Sequence, residues 1–402
     1  MPGHLQMKSR TGVIIGVAVI AAIAAWTLLV DSSEQPVHAV VAKAEPQVAY
    51  PPPLPDTPRD LPPARPSRPG DVELCGFGAV NPDEIPADIE KAADVAIMRA
   101  IAGAERSTDD RTRATALALR ALTEAQVAER KINDADPQRC TETAECDEAE
   151  AEAFARAATP SIQALVNLAV TTRDPFTYVT AMRACRSVIP DAPPPDCSSL
   201  SNEQWARLDP NNAMAWLMVA RAARQRKDSV TFQDALQRAS RADLFDRRAT
   251  RYGGILESTD LRDAPVRTLA VAKLAEAEER EDPGEYFSNF AMFHLHCAKD
   301  EPDRADVCKN LAGVLLDHSA DRLGIDLGAA IAPRSKQSSA AIKRLGNTAA
   351  APPKQLAQKL GCESAARTEA WLLGVAKSGE VGYLEEREAA RVASQPTRVP
   401  AK

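Results

Sequence analysis

The chain has 402 residues, room for one large or two ordinary domains. It is rich in Ala, Arg and Glu and only 4% aromatic, which favours helices packed closely on small side chains over a strand-rich core. A net charge of -7 argues against a nucleic-acid binder, which would present a basic face.

Residues 1–11 are mostly polar and carry Lys8 and Arg10. Gly12 to Val30 then runs nineteen residues without a charge. As a helix that is about 28 Å, close to the hydrocarbon thickness of a bilayer. The expectation is a single transmembrane anchor at 12–30. Basic residues precede it and none follows closely, which puts the N-terminus in the cytoplasm and the rest in the periplasm. The competing reading is a cleaved signal peptide, with Val13–Ile20 as its apolar region and Ala22-Ile23-Ala24 as the cleavage site. The apolar run continues through Trp26, Leu28, Leu29 and Val30, which favours the anchor. No Cys lies near the segment, which argues against a lipoprotein anchor. Both readings export the remainder.

Residues 31–70 read as a proline-rich linker, with Pro51-Pro52-Pro53, Pro55, Pro58, Pro62-Pro63, Pro66 and Pro69. Such a run prefers polyproline II, and at ~3.1 Å per residue it reaches up to roughly 75–80 Å. A stalk and a plain spacer are the leading readings; a docking site for a proline-binding module is a third.

The folded part is expected over 71–394, all helical, with 395–402 as a frayed tail. Helical patterns cover 86–103, 109–130, 147–158, 160–171, 175–189, 200–207, 212–226, 229–242, 244–258, 265–280, 284–298, 304–318, 338–345, 354–360 and 364–393 with a break. Thr159-Pro160 and Asp174-Pro175 place a cap residue before Pro at the first helical position. Asp282-Pro283 and Pro302-Asp303 mark other boundaries, and Cys75-Gly76-Phe77-Gly78 reads as a short lead-in loop. No stretch alternates as a β-strand would.

One stretch, Leu208 to Leu244, has a spacing that can be checked. Trp216, Val219, Ala220 and Ala223 form one helical stripe, and Phe232, Leu236 and Ala239 a second, with Lys227-Asp228-Ser229 between. Asp209-Pro210 with Asn211 and Asn212 is a start signal. Large and small residues at these steps let two antiparallel helices sit close, with an aromatic filling the gap. The stretch resembles a tetratricopeptide (TPR) repeat, a helix-turn-helix unit of about 34 residues. Its pattern of large, apolar, small, aromatic, small, aromatic, small, Pro falls on Trp216, Val219, Ala220, Ala223, Phe232, Leu236, Ala239 and Leu244. It departs from that pattern at Ala223, Phe232, Leu236 and Leu244. Asp174-Pro175 lies 35 residues before Asp209-Pro210, so Pro175–Leu208 reads as a degenerate second repeat. The alternative is an irregular helical domain in which the likeness is local. The resemblance implies stacked antiparallel helix pairs, an α-solenoid with a concave surface that holds a partner segment.

Eight Cys lie in the exported part, an even number that suggests disulfides. Cys140/Cys146, Cys185/Cys197 and Cys297/Cys308 are close in sequence, and each spans an inter-helix turn. Cys75 and Cys362 pair by elimination and tie the two ends together. Zinc is the rival reading, but no pair has the C-x2–4-C spacing of a structural site.

Residues for catalysis, for a cofactor or for a metal are not assigned. His294, His296 and Cys297 are the only cluster of possible ligands, and on a helix His296 points away from the other two. Glu363-Ser364 matches the catalytic Glu-Ser of lytic transglycosylases, but no GLMQ-type stretch follows it. The acidic run Glu142–Glu152 lacks the glycine and alternating ligands of a calcium loop. P-loop, G-x-S-x-G, G-x-G-x-x-G and H-E-x-x-H motifs are all missing. The expectation is a non-enzymatic, membrane-anchored periplasmic adaptor or scaffold with protein partners in the envelope. The layout resembles single-span envelope proteins with periplasmic TPR domains, which implies a role in secretion, assembly or division machinery. Two alternatives stand beside it: an envelope hydrolase or metal-dependent enzyme centred near His294, and an immunity-type inhibitor of one partner.

Overall fold

Small side chains set the packing distances. In α1 (Ala87–Ala104) the buried positions are Ile89, Ala92, Ala93, Ala96, Ile97, Ala100, Ile101 and Ala104, steps of three and four that make one face. The structure is a computed structural model that describes residues 68–81, 84–135, 144–187, 194–257, 261–279, 292–297, 302–332 and 360–393. The expected anchor at 12–30, nearly all of the linker and the tail lie outside the described residues, as do the helices expected at 338–345 and 354–359. Among the described residues no helix is long and apolar enough to cross a membrane.

Among the described residues the fold is all-α apart from one small hairpin. β1 (Val72–Leu74) and β2 (Gly78–Val80) pair antiparallel, Val72 opposite Val80. The stretch expected as a loop, Cys75 to Gly78, is therefore the hairpin turn and the start of its second strand. Strands of three residues are too short to show an alternation in the sequence. After α1, α2 (Asp110–Ala135) packs on α3 (Ala144–Thr171), and both pack on α4 (Pro175–Ser187). Then come α5 (Asn202–Leu208), α6 (Ala213–Gln225), α7 (Ser229–Ala239) and α8 (Gly253–Leu256). They are followed by α9 (Ala264–Glu279), α10 (292–297), α11 (Pro302–Asp317), α12 (Arg322–Ile331) and α13 (Cys362–Ala393).

Four differences from the sequence reading have physical reasons. Pro160 does not start a helix but lies inside α3. It removes one backbone donor, and the buried neighbours Ala158, Ile162, Leu165 and Val166 hold the helix across it. The helix expected over 244–258 shrinks to α8. Backbone pairing takes residues 244 and 245 instead: Leu244 bridges Asn212, and Phe245 bridges Ser319. Fully buried Phe245 outweighs local helix preference there. α12 was not expected over 322–331, a segment with two glycines, Gly324 and Gly328. They mark close approach: a Cβ on Gly324 would lie 2.4 Å from the Phe245 ring, and one on Gly328 2.9 Å from Leu315. Finally, Trp216 is half-buried where a core filler was expected. Its Nε1 donates to the Pro210 carbonyl at 2.7 Å and the Arg238 guanidinium lies 4.8 Å from its ring centre. The other six positions, Val219, Ala220, Ala223, Phe232, Leu236 and Ala239, are buried. Leu236 and Ala-sized residues leave little room between α6 and α7 for an indole, so it rides on the outside.

Ion pairs tie the first helices together. Arg120, nearly buried, grips Glu105 after α1 with two bonds of 2.5 and 2.6 Å. Arg130 reaches Glu90 and Asp94 on α1, and Lys273 brings α9 to the same Asp94. Asp174 caps α4, accepting Thr177 N at 2.9 Å and Arg111 Nε at 2.8 Å. Burial pushes the Asp174 carboxyl up, but these donors win and hold it below the ordinary range.

A buried polar crossing lies where four loops meet. Arg248 sits in the left-handed region at φ 55°. Its Nε and Nη2 donate to the two Asp209 oxygens at 2.9 and 3.1 Å, and its Nη1 to Asp246 at 3.0 Å. Asn212 locks the same corner, donating to Asp209 at 2.8 Å and to the Asp246 carbonyl at 2.7 Å. Burial works against the Arg248 charge, yet the two carboxylates raise its pKa above the usual arginine value. Arg183 from α4 donates to the Arg248 carbonyl at 2.8 Å. On the other side, Asp321 caps α12 through Gly324 N at 3.0 Å and lies 3.4 Å from Arg247. Glu380 accepts from Arg322 N at 3.0 Å. Burial pushes both carboxyls, Asp321 and Glu380, above the ordinary range. Glu380 reaches this corner because α13 breaks at Gly379 (φ 76°), where any side chain would be strained.

Candidate interaction groove

The α6–α7 hairpin ends in a tight turn with an unusual residue. Lys227 N donates to Arg224 O at 3.0 Å and Asp228 N to Ala223 O at 2.8 Å, the paired bonds of a Schellman C-cap. The residue at the left-handed position of this motif is most often glycine; here it is Lys227, at φ 60°. The next residue, Asp228, caps α7 by accepting Thr231 N at 3.0 Å. That capping bond holds its carboxyl below the ordinary range, so it is ionised and already used.

This turn forms one wall of a groove of about 500 Å³. Arg224, Lys227 and Phe232 line it from the hairpin, Leu295 and His296 from α10, and Arg304 from α11. Phe232 is the apolar floor. The His296 ring meets it edge-on with centroids 5.0 Å apart, and the Arg224 guanidinium lies 5.9 Å from its centre. Among the described residues Arg224, Lys227 and Arg304 line it together with one carboxylate, Asp228. Neither Arg224 nor Lys227 has an ion-pair partner among the described residues. Leu295 is 61% exposed. A second hollow of about 290 Å³ beside Cys185 and Cys197 is lined by Met182, Leu200, Pro194 and Pro195, with Arg186 its only charge.

The cysteines fall as follows. Cys75–Cys362, Cys185–Cys197 and Cys297–Cys308 stand at disulfide distance, with sulfurs 2.04, 1.96 and 2.06 Å apart. Cys140 and the side chain of Cys146 lie outside the described residues. Cys297 is thereby removed as a metal ligand from the His294 cluster. His294 Nδ1 meets the Ala330 carbonyl at 3.0 Å while His296 faces Phe232, so the structure separates the three. Among the described residues no three His, Cys, Asp or Glu side chains converge as a metal site. Glu363, 84% exposed, pairs with Arg367 at 3.3 Å. Comparison with known proteins returns no matching protein family, no matching curated protein and no matching solved structure.

The groove was not expected from the sequence. Its residues come from three segments, 224–233, 295–296 and 304, and no single segment carries the pattern. The one local signal was His294-Leu295-His296, a large apolar residue between polar ones on a short helix.

Proposed function

We propose that this chain is a membrane-anchored, exported scaffold that binds a protein partner through the groove at the α6–α7 turn. The observation that carries the reading is an exposed Leu295 in one groove with Arg224 and Lys227, neither of which forms an ion pair among the described residues. Leu295 is one of the three large apolar residues that stand exposed among the described residues, and it lines the groove. Exposed apolar groups rimmed by charge are typical of contact surfaces. The export half of the reading rests on the uncharged run at 12–30 and on six cysteines at disulfide distance, which persist in oxidising compartments. TPR-like stacking is part of the proposal: α6 and α7 pack as an antiparallel-type hairpin, preceded at the repeat spacing by α4 and the seven-residue α5. The scaffold has no catalytic step of its own in this reading.

The test is in-cell crosslinking of the tagged full-length chain, with mass spectrometry of what is captured. A defined set of envelope proteins is the expected result. Capture of nothing beyond the chain itself would overturn the scaffold reading.

A further inference from the structure

We propose that the last part of α13, from Glu380 onward, is a pH-operated latch that closes against α12 in acid and swings out about Gly379 as the pH rises. The latch does not depend on the scaffold reading. Three features of one corner lead to it: a hinge, a light hold and a pair of carboxyls. The hinge is Gly379, whose φ of 76° divides α13 in two. The hold on the segment beyond it is light. Val381 N donates to the Ala320 carbonyl at 3.2 Å, Glu380 accepts from Arg322 N at 3.0 Å, and Val381 and Leu384 are buried. The Tyr383 ring folds back over Gly374, where a Cβ would collide with it. Beyond Leu384 none of the described side chains is fully buried. A segment with so little buried apolar surface opens at small cost. The carboxyls are Glu380 and Asp321, both set on the N-terminus of α12. Asp321 takes Gly324 N at 3.0 Å and Arg247 N at 3.2 Å, while Glu380 takes Arg322 N.

These N–H donors favour the ionised carboxylates, and so do Arg247, 3.4 Å from Asp321, and Arg322, which also reaches Asp326 at 3.8 Å. In the 246–251 segment Arg251 lies 4.0 Å from Asp246, and Arg248 is taken up by Asp209 and Asp246. His318 after α11 and Lys377 on α13 are exposed. Burial works the other way and prevails. With it act the charge of Asp321 on Glu380 and that of Asp246 on Asp321, so both carboxyls hold their protons above the ordinary range. A raised carboxyl contributes its stability in full below the unfolded value and loses it as pH rises through the folded one. Opening carries Glu380 into water and leaves Asp321 with Arg247. The segment behind Glu380 has little else to hold it, so it leaves before the rest unfolds.

The test is a distance between two nitroxides, measured by double electron–electron resonance on the full chain. The labels are carried on p-acetylphenylalanine, which leaves the cysteines alone, at the exposed positions Lys309 on α11 and Glu386 on α13. One short distance is expected at about pH 4.5, with a second, longer one growing in to at least half of the molecules by about pH 8. Helical circular dichroism, read on the same samples, should keep most of its amplitude. Glu380→Gln keeps an acceptor for Arg322 N but cannot ionise, so the short distance should persist at both pH values and the open fraction at the higher one should fall at least fivefold. A single distance at every pH would overturn the latch. An opening that Glu380→Gln leaves unchanged would do so too. An opening that comes only with loss of the helical signal is global unfolding and would also overturn it.

Discussion

Arg248 and Lys227 share a backbone oddity and differ in everything around it. Both are cations held at positive φ, 55° and 60°. Around Arg248 the fold supplies the compensation itself: two bonds to Asp209, one to Asp246, and its carbonyl taken by Arg183. Around Lys227 the helix-capping bonds are present, and it lines the groove without an ion pair among the described residues. The same strain is thus repaid inside the molecule in one place and left outstanding in the other. Strain of this kind persists where something over-determines it. At the crossing of loops that something is buried structure; at the groove it is the proposed partner.

The comparison can be broken most sharply at Arg248. Arg248→Ala leaves Asp209 and Asp246 buried without their cation, and unfolding by urea should show a loss of about 3–5 kcal/mol. A loss under about 1 kcal/mol would mean that water already reaches the corner. The pH dependence comes next. Burial holds the Glu380 carboxyl above its ordinary range, with Asp321 adding to that and Arg247, Arg322 and the Arg322 N–H opposing it. A raised carboxyl favours the fold while it is protonated. Its contribution is complete below the unfolded value and is lost as pH rises through the folded one. Glu380→Gln keeps an acceptor for Arg322 N, so its stability relative to wild type should rise as pH goes from 4 to 8. Parallel curves would show that Glu380 is solvated.

Trp216→Ala should cost about 1–2 kcal/mol, below the 3–5 kcal/mol of a fully buried aromatic, because the indole is half-buried under Arg238. A larger loss in thermal or urea unfolding would show that Trp216 is a core residue after all. The smallest effect is a gain. Lys227→Gly should stabilise the protein by about 0.5–1 kcal/mol in urea unfolding by relieving the left-handed lysine. Loss of stability there would remove the contrast with Arg248.

Much of the helix layout was legible in the residues. The caps at Asp174 and Asn212 act as read, since a side-chain oxygen before a helical run has one local use; Asp228, read only as part of a break, caps α7 as well. Six of the seven hairpin packing positions are buried because a helical period fixes which face is inward. What was not legible depends on distant partners. Leu244 is drawn out of a helical pattern by Asn212, and Phe245 by Ser319, 74 residues away. Gly324 and Gly328 have a reason to be glycine only once Phe245 and Leu315 are seen against them. The groove is of the same kind: Arg224 and Arg304 are 80 residues apart, and charge at either alone reads as a solvated helix face.

The bond between Cys75 and Cys362 spans 287 residues and encloses nearly all of the described fold. Topologically the molecule is a large ring with a tail at each end. A single protease cut inside the ring opens it without separating the pieces, and non-reducing electrophoresis would still show one band. Two fragments appear only when the thiols are reduced. Nicking and release are therefore distinct events for this chain, and the second is under the control of the surrounding redox potential.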